Sequence, residues 1–159
     1  MGRFLPEGGI QMKKAMLFCV GLFPFAMGVA LDAFITGCPV GLSFFFAFIN
    51  LAVLALWGAA GFLLRRHAAT TREAVALAHL PAAVMLLLIL VQELALGHYW
   101  LNWVGLATQL FYLPLIHLPS RLLFFAHTLP PVYIAAFAGM VAVFWLGARL
   151  YEKAAAEAA

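Results

Sequence analysis

The stretch LLLILVQELALGHYWLNW (residues 86–103) shows most directly how this chain is built. It begins as an unbroken apolar run and ends in an amide, a carboxylate and two tryptophans. Tryptophan and tyrosine concentrate where a membrane helix meets the lipid headgroups, whereas leucine fills the helix centre. The pattern predicts that the chain leaves a lipid bilayer here, with Glu93 just inside the boundary.

The composition of the whole chain also indicates a membrane protein. Of the 159 residues, 67% are hydrophobic and only 9% are charged, and the mean hydropathy is +1.06. Soluble domains are about half apolar and about one quarter charged. Crossing the ~30 Å hydrocarbon core takes about 20 apolar residues, and four such runs occur. We therefore predict an all-α integral membrane protein with a single domain over residues 1–159.

The polar flanks of these runs place four predicted transmembrane helices. They cover about residues 15–35, 41–64, 74–96 and 129–150. Pro24 and Pro81 fall inside the first and third spans, where each predicts a kink. The small residues of WGAAG (57–61) are typical of helices that approach each other closely.

The basic residues predict an orientation. With four spans, eight of the nine lysines and arginines lie on one side, and Arg121 lies on the other. Because cytoplasmic loops are rich in these residues, we predict a multi-pass protein of the cell (inner) membrane with both termini cytoplasmic. A fifth span through residues 101–118 would weaken the split to seven against two. Topology thus accounts for the +3 net charge, so membrane lipids are the expected charged partner and nucleic acid is not.

The segment between the third and fourth spans, about residues 98–127, is apolar but interrupted by polar side chains. Asn102, Gly105, Gln109 and Tyr112 follow one another at steps of three and four, which predicts one narrow polar stripe on a helix. We predict an amphipathic helix at the outer interface. A re-entrant pair of helical arms is the alternative, and it would require the irregular backbone between them to be buried or to line a wet cavity.

Polar residues at membrane depth mark the candidate functional site. A charged side chain at the bilayer centre costs about 2.5–3.5 kcal/mol, so such residues usually face the bundle interior or a wet path. The predicted polar vestibule on the outer side consists of Asp32, Asn50, Glu93, His98 and Arg121. In the structural alternative, the two carboxylates reach the headgroups and Asn50 clamps two helices together.

This vestibule predicts a transport or channel component that handles a cation, a proton or a small polar solute. Four spans make a poor pathway alone, so a homo-oligomer or a partner membrane subunit is expected. Two alternatives stay open. One is a non-catalytic accessory or assembly subunit of a larger membrane complex. The other is a membrane enzyme acting on a lipid or isoprenoid substrate, with Glu93 or His98 as acid or base and Arg121 on a phosphate; the lack of a catalytic motif disfavours it.

No cofactor is predicted. Glu93, His98, His117 and His127 offer ligands for haem, zinc or copper on the outer side. Their spacings of 5, 19 and 10 match no metal-binding motif.

Residues 12–38 have a basic start, a long apolar region, and Ile35, Thr36 and Gly37 before Cys38. This segment resembles a bacterial lipoprotein signal peptide with its lipobox, which implies removal of the segment and lipidation of Cys38. The apolar region exceeds the usual 7 to 15 residues and contains Asp32, and both features favour an intact transmembrane helix.

Overall fold

The computed structural model describes residues 7–37 and 43–158, and within these ranges the protein consists of helices and their connections, with no strand. Seven α-helices follow one another in these ranges: α1 (Glu7–Val20), α2 (Phe23–Gly37), α3 (Ser43–Leu64), α4 (Thr71–Leu90), α5 (Trp103–Tyr112), α6 (His117–Leu122) and α7 (Pro130–Glu157). A short 3-10 turn, Arg65–His67, follows α3, and a π-helical turn, Val91–Ala95, extends α4.

Four helices are long and apolar enough to cross a membrane, as predicted. They are Gln11–Gly37, Phe45–His67, Thr71–Ala95 and Pro130–Glu157. The first of them combines most of α1 with α2, and the third combines α4 with the π-helical turn. The apolar run that could have supplied a fifth span is divided instead between α5 and α6, which have 10 and 6 residues. At 1.5 Å per residue, α5 is only about 15 Å long, half of a hydrocarbon core.

The two prolines inside the predicted spans behave differently. Pro24 lies in the first turn of α2, directly after the break at residues 21–22 that separates α1 from α2. Proline is tolerated at this position because the first amides of a helix have no intrahelical acceptor. Pro81 lies inside α4, which continues past it to Leu90.

The helices α3 and α7 pack against each other along most of their length, and glycine makes the contact close. A Cβ at Gly61 would lie 2.2 Å from the Phe144 carbonyl oxygen, and one at Gly147 would lie 2.0 Å from the Gly58 carbonyl oxygen. The WGAAG segment therefore forms a close helix contact, as predicted. Gly147, its counterpart on α7, was not part of that prediction.

Charged side chains gather at one end of the bundle, which we name the basic end. Lys14 lies 3.0 Å from Glu73, and Glu152 pairs with Arg65 at 3.0 Å and with Arg149 at 3.1 Å. These pairs join the middle of α1 to the first turn of α4, and the connection from α3 to α4 to the end of α7. The other ends of α3 and α7, with the π-helical turn that extends α4, form the opposite end of the bundle.

An aromatic cluster around His79 forms the core near this end. The Trp57 Nε1–H donates to His79 Nε2 at 3.0 Å, and His79 Nδ1–H donates to the Val75 carbonyl at 2.8 Å. Phe144 packs edge-on against the imidazole ring, with 5.2 Å between ring centroids. Both ring nitrogens of His79 are thus engaged within the protein, and the imidazole acts as a packing residue.

Candidate functional site: the α5–α6 hairpin

The segment between α4 and α7 folds as a hairpin, with α5 running along α4 and α6 returning along α3 and α7. Asn102 caps α5, since its Oδ1 accepts the Gly105 N–H at 3.0 Å. Ten residues later the Tyr112 hydroxyl donates to the Ala82 carbonyl at 2.7 Å. Ala82 lies about 16 Å from the start of a third apolar helix that is about 36 Å long. The hairpin therefore reaches from the opposite end to about the middle of α4.

The buried face of α5 differs from the predicted polar stripe. Gly105, Thr108 and Tyr112 are buried, whereas Gln109 is exposed. The inward face is set by contacts from other helices: Gly28 of α2 is so close that a Cβ there would lie 1.7 Å from the Leu110 carbonyl oxygen. Thr108, which the prediction left out, follows Gly105 at the same helical spacing.

Gln92 holds the start of the hairpin against the third apolar helix. Its side chain is fully buried in the π-helical turn. Its Oε1 accepts the Trp100 N–H at 2.8 Å, and its Nε2 donates to the Leu88 carbonyl at 3.2 Å and to Thr108 Oγ1 at 3.4 Å. Sequence reasoning chose the neighbouring carboxylate and missed this residue. The signal was a lone amide within an apolar run.

Glu93 closes the segment by joining its two ends. One carboxylate oxygen accepts the Tyr99 hydroxyl, and the other accepts the Leu129 N–H at 3.1 Å. Burial raises the pKa of Tyr99, and the hydrogen bond to Glu93 raises that pKa further, so the phenol remains a donor at physiological pH. Glu93 thus connects the third apolar helix, the entry to the hairpin and the start of α7.

We expect Tyr99→Phe to loosen this connection, because one carboxylate oxygen loses its donor. A hydrogen bond to a charged group contributes about 1.5–3 kcal/mol. A loss of about 1.4 kcal/mol raises the equilibrium constant for local opening of the segment by a factor of ten. Amide hydrogen exchange of residues 97–102 should rise roughly tenfold. His98→Ala is the control, since among the described residues the His98 ring hydrogen-bonds only to the nearby Leu96 carbonyl, at 2.8 Å. Equal exchange in the two variants would contradict a closing role for Glu93.

The five residues of the predicted vestibule occupy different surroundings. Asp32 and His98 are exposed, Glu93 is half-buried and Asn50 is fully buried. Within residues 7–37 and 43–158, no hydrogen bond or ion pair joins any two of these four side chains. Arg121 lies on the exposed side of α6. A shared vestibule therefore stays a prediction, and Asn50 is the member that lies deepest between helices.

Asn50 meets the hairpin at its turn. Its Nδ2 donates to the Pro114 carbonyl at 3.2 Å, which fixes the turn to α3. Its Oδ1 is buried and has no hydrogen-bond partner among the described residues. An unpartnered buried acceptor is unusual, since most buried polar groups are hydrogen-bonded.

A cavity of about 250 Å³ lies beside this amide, between α3, α6 and α7. Its walls are apolar apart from Asn50. The lining residues are Asn50, Leu54, Leu115, Leu118, Pro119, Leu122, Leu123, Ala135, Ala136 and Gly139. The site therefore combines apolar walls with one buried hydrogen-bond acceptor.

The predicted metal ligands show no common centre in the described part of the chain, where no three His, Cys, Asp or Glu side chains converge. The His117 ring packs on Phe46, with 5.8 Å between centroids, while Glu93 is engaged with Tyr99. Haem, zinc or copper binding by these residues stays an alternative to the prediction of no cofactor. Cys38, the candidate lipidation site, lies outside the described residues.

Comparison with protein-family models, with curated proteins and with solved structures finds no match to this chain. Any assignment of function therefore depends on its own residues and geometry.

Proposed function

We propose that the four apolar helices cross the cell membrane with the basic end in the cytoplasm, and that the α5–α6 hairpin is re-entrant from the outer side. The distribution of lysine and arginine supports this orientation. Large apolar side chains cover the outward faces of the helices, including Phe48, Leu87 and Leu94, which are 67%, 62% and 70% exposed. Such apolar outward faces are suited to contact with lipid acyl chains.

Single cysteines test this topology. In a chain with Cys19→Ser and Cys38→Ser, a membrane-impermeant maleimide should label Leu101→Cys on intact cells, because Leu101 is fully exposed at the opposite end. Ala156→Cys should react only after permeabilisation. The buried Leu115→Cys is the control for an inserted hairpin and should stay unlabelled in both conditions. The reverse pattern at residues 101 and 156 would contradict the orientation.

We further propose that the protein is a transport component for a small solute, within the predicted class of cation, proton or small polar molecule. The supporting observation is the turn of the hairpin, residues 113–116, which lies deep between helices. Non-helical backbone at membrane depth is tolerated only when it is buried in protein or lines a cavity, and transporters place binding sites at such broken helices. Asn50, which contacts this turn, is the proposed solute contact.

An accessory subunit of a larger membrane complex is the second candidate. It is favoured by the surface at the opposite end, where Leu101 and Trp103 are almost fully exposed beside an open groove of about 430 Å³. Exposed apolar patches of this kind mark interaction sites. A partner subunit or a second copy would cover this surface, and Trp103→Ala would then reduce co-purification of that partner.

Flux through liposomes that contain the full chain distinguishes the two candidates. Protons, potassium ions and glycerol are tested in parallel, and we expect one of them to move. Asn50→Leu should lower that flux at least tenfold. Gln109→Leu, which also replaces an amide but at an exposed position of α5, is the control and should leave the flux unchanged. Gly139→Leu narrows the cavity without removing the amide. It should also lower the flux, and it replaces Asn50→Leu in the test if that variant does not fold.

Failure of folded wild-type protein to move any of the three would contradict transport of a cation, a proton or a small polar molecule and favour the accessory role. Flux that is equal in wild type and in both cavity variants would contradict the placement of the solute path at Asn50.

A further inference from the structure

The cavity beside Asn50 restricts the kind of solute that it can hold. Its described walls carry no charged side chain, and Asn50 is their single polar residue. A cation or an anion in such surroundings would lose its hydration without gaining a counter-charge, which is strongly unfavourable. The cavity therefore fits a neutral molecule with an apolar body.

The buried amide adds a directional requirement. Asn50 Nδ2 donates one of its two N–H groups to the Pro114 carbonyl, whereas Oδ1 has no partner among the described residues, so Oδ1 is the acceptor open to a ligand. A ligand that donates one hydrogen bond would satisfy this oxygen, whereas a purely apolar ligand would leave it unpartnered. Sites of this type reject the analogue that lacks the donor, because the buried polar group then stays unpaired.

The size of the cavity sets an upper limit on the ligand. An apolar cavity of roughly 150 Å³ accommodates benzene, and this one is larger, at about 250 Å³. Leu122 lines the cavity and is 66% exposed, so the cavity reaches the molecular surface between α6 and α7. A compact molecule dissolved in the bilayer could enter by this route.

We propose that this cavity binds one compact, neutral, hydroxyl-bearing molecule, such as a phenol, with its hydroxyl donating to Asn50 Oδ1 and its apolar body against α6 and α7. This inference rests on the proposed function in taking the cavity as the solute site. It excludes a cation or a proton from this cavity and specifies the solute as a neutral amphipathic alcohol or phenol.

Fluorine NMR of a matched probe pair tests the assignment. The full chain in detergent micelles is titrated with 4-fluorophenol and, separately, with fluorobenzene, which lacks the hydroxyl. We expect saturable binding of 4-fluorophenol that is at least tenfold tighter than binding of fluorobenzene. Asn50→Leu should remove this difference between the probes.

Gly139→Leu is the control for probe dissolved in the micelle. A Cβ at Gly139 meets no atom of residues 7–37 and 43–158 within 4 Å, so the larger side chain can extend into the cavity without a backbone clash. This variant should lose saturable binding of both probes while keeping the elution volume and helical content of wild type. It also preserves the test if Asn50→Leu does not fold.

Equal affinity of the two probes for wild type would overturn the role of Asn50, and unchanged binding in Gly139→Leu would overturn the location. Saturable phenol binding without flux of any solute would keep this inference and contradict transport. Proton or potassium flux without phenol binding would support transport and contradict this inference.

Discussion

Replacing Gly28 by alanine should displace α5 from α2 and lower the free energy of unfolding by about 2 kcal/mol or more. The added Cβ would lie 1.7 Å from the Leu110 carbonyl oxygen, so one backbone must move by more than an ångström. Overpacking typically costs about 1–3 kcal/mol, and occasionally more. Alanine regains about 1 kcal/mol of helix propensity over glycine, which offsets only part of the clash.

The measurement is denaturant unfolding of the full chain in micelles, followed by circular dichroism. Gly37→Ala on the same helix is the matched control, because a Cβ there meets no atom of the described residues within 4 Å. Its stability should stay within about 0.5 kcal/mol of wild type. If Gly28→Ala were as stable as Gly37→Ala, the hairpin would not dock closely on α2.

Gln92→Leu should destabilise the protein by about 2 kcal/mol and free the entry to the hairpin. Leucine is apolar and of comparable size, so the main loss is hydrogen bonding. The Trp100 N–H loses its acceptor, and an unsatisfied buried group costs about 1–3 kcal/mol. The hydrogen bond to Thr108 is lost as well, which adds about 0.6 kcal/mol by the average for membrane helices.

Gln109→Leu makes the same chemical change at an exposed position of α5 and is the control. Unfolding free energies of the two variants, together with hydrogen exchange at the Trp100 amide, give the comparison. The expected result is rapid exchange and lower stability in Gln92→Leu alone. Slow exchange at Trp100 in both variants would show that the Gln92 side chain does not hold the hairpin.

The sequence predicted the four long helices but only some of the residues that hold the hairpin, and Asn50 and Gln92 show why. Asn50 was selected as a deep polar residue and is fully buried, but its contact with Pro114 joins residues 64 positions apart. Gln92 was not predicted because a carboxylate in an apolar run costs more to bury than an amide, and the prediction selected residues by that cost. Its importance depends on three partners, two of which lie beyond the end of its own helix.

The α5 helix illustrates the same limit. Helical spacing in the sequence indicates which residues share a face, but it does not determine which face is turned inward. Gln109 fits the predicted stripe, yet it is exposed, while Thr108 is buried against Gln92. Close approach of Gly28 to the Leu110 backbone selects this rotation, and Gly28 lies some eighty residues earlier in the chain.

By itself, the sequence determined that the chain forms four long apolar helices and that its positive charge belongs at one end. Both properties are sums over local segments, because the length and hydropathy of a run suffice to indicate a helix that can span a bilayer. Only the tertiary structure decided that residues 103–122 dock as a hairpin, that Gln92 and Glu93 hold it, and that Asn50 keeps one acceptor unpartnered beside a cavity. These features depend on backbone approaches and hydrogen bonds between distant residues, which local hydropathy does not encode.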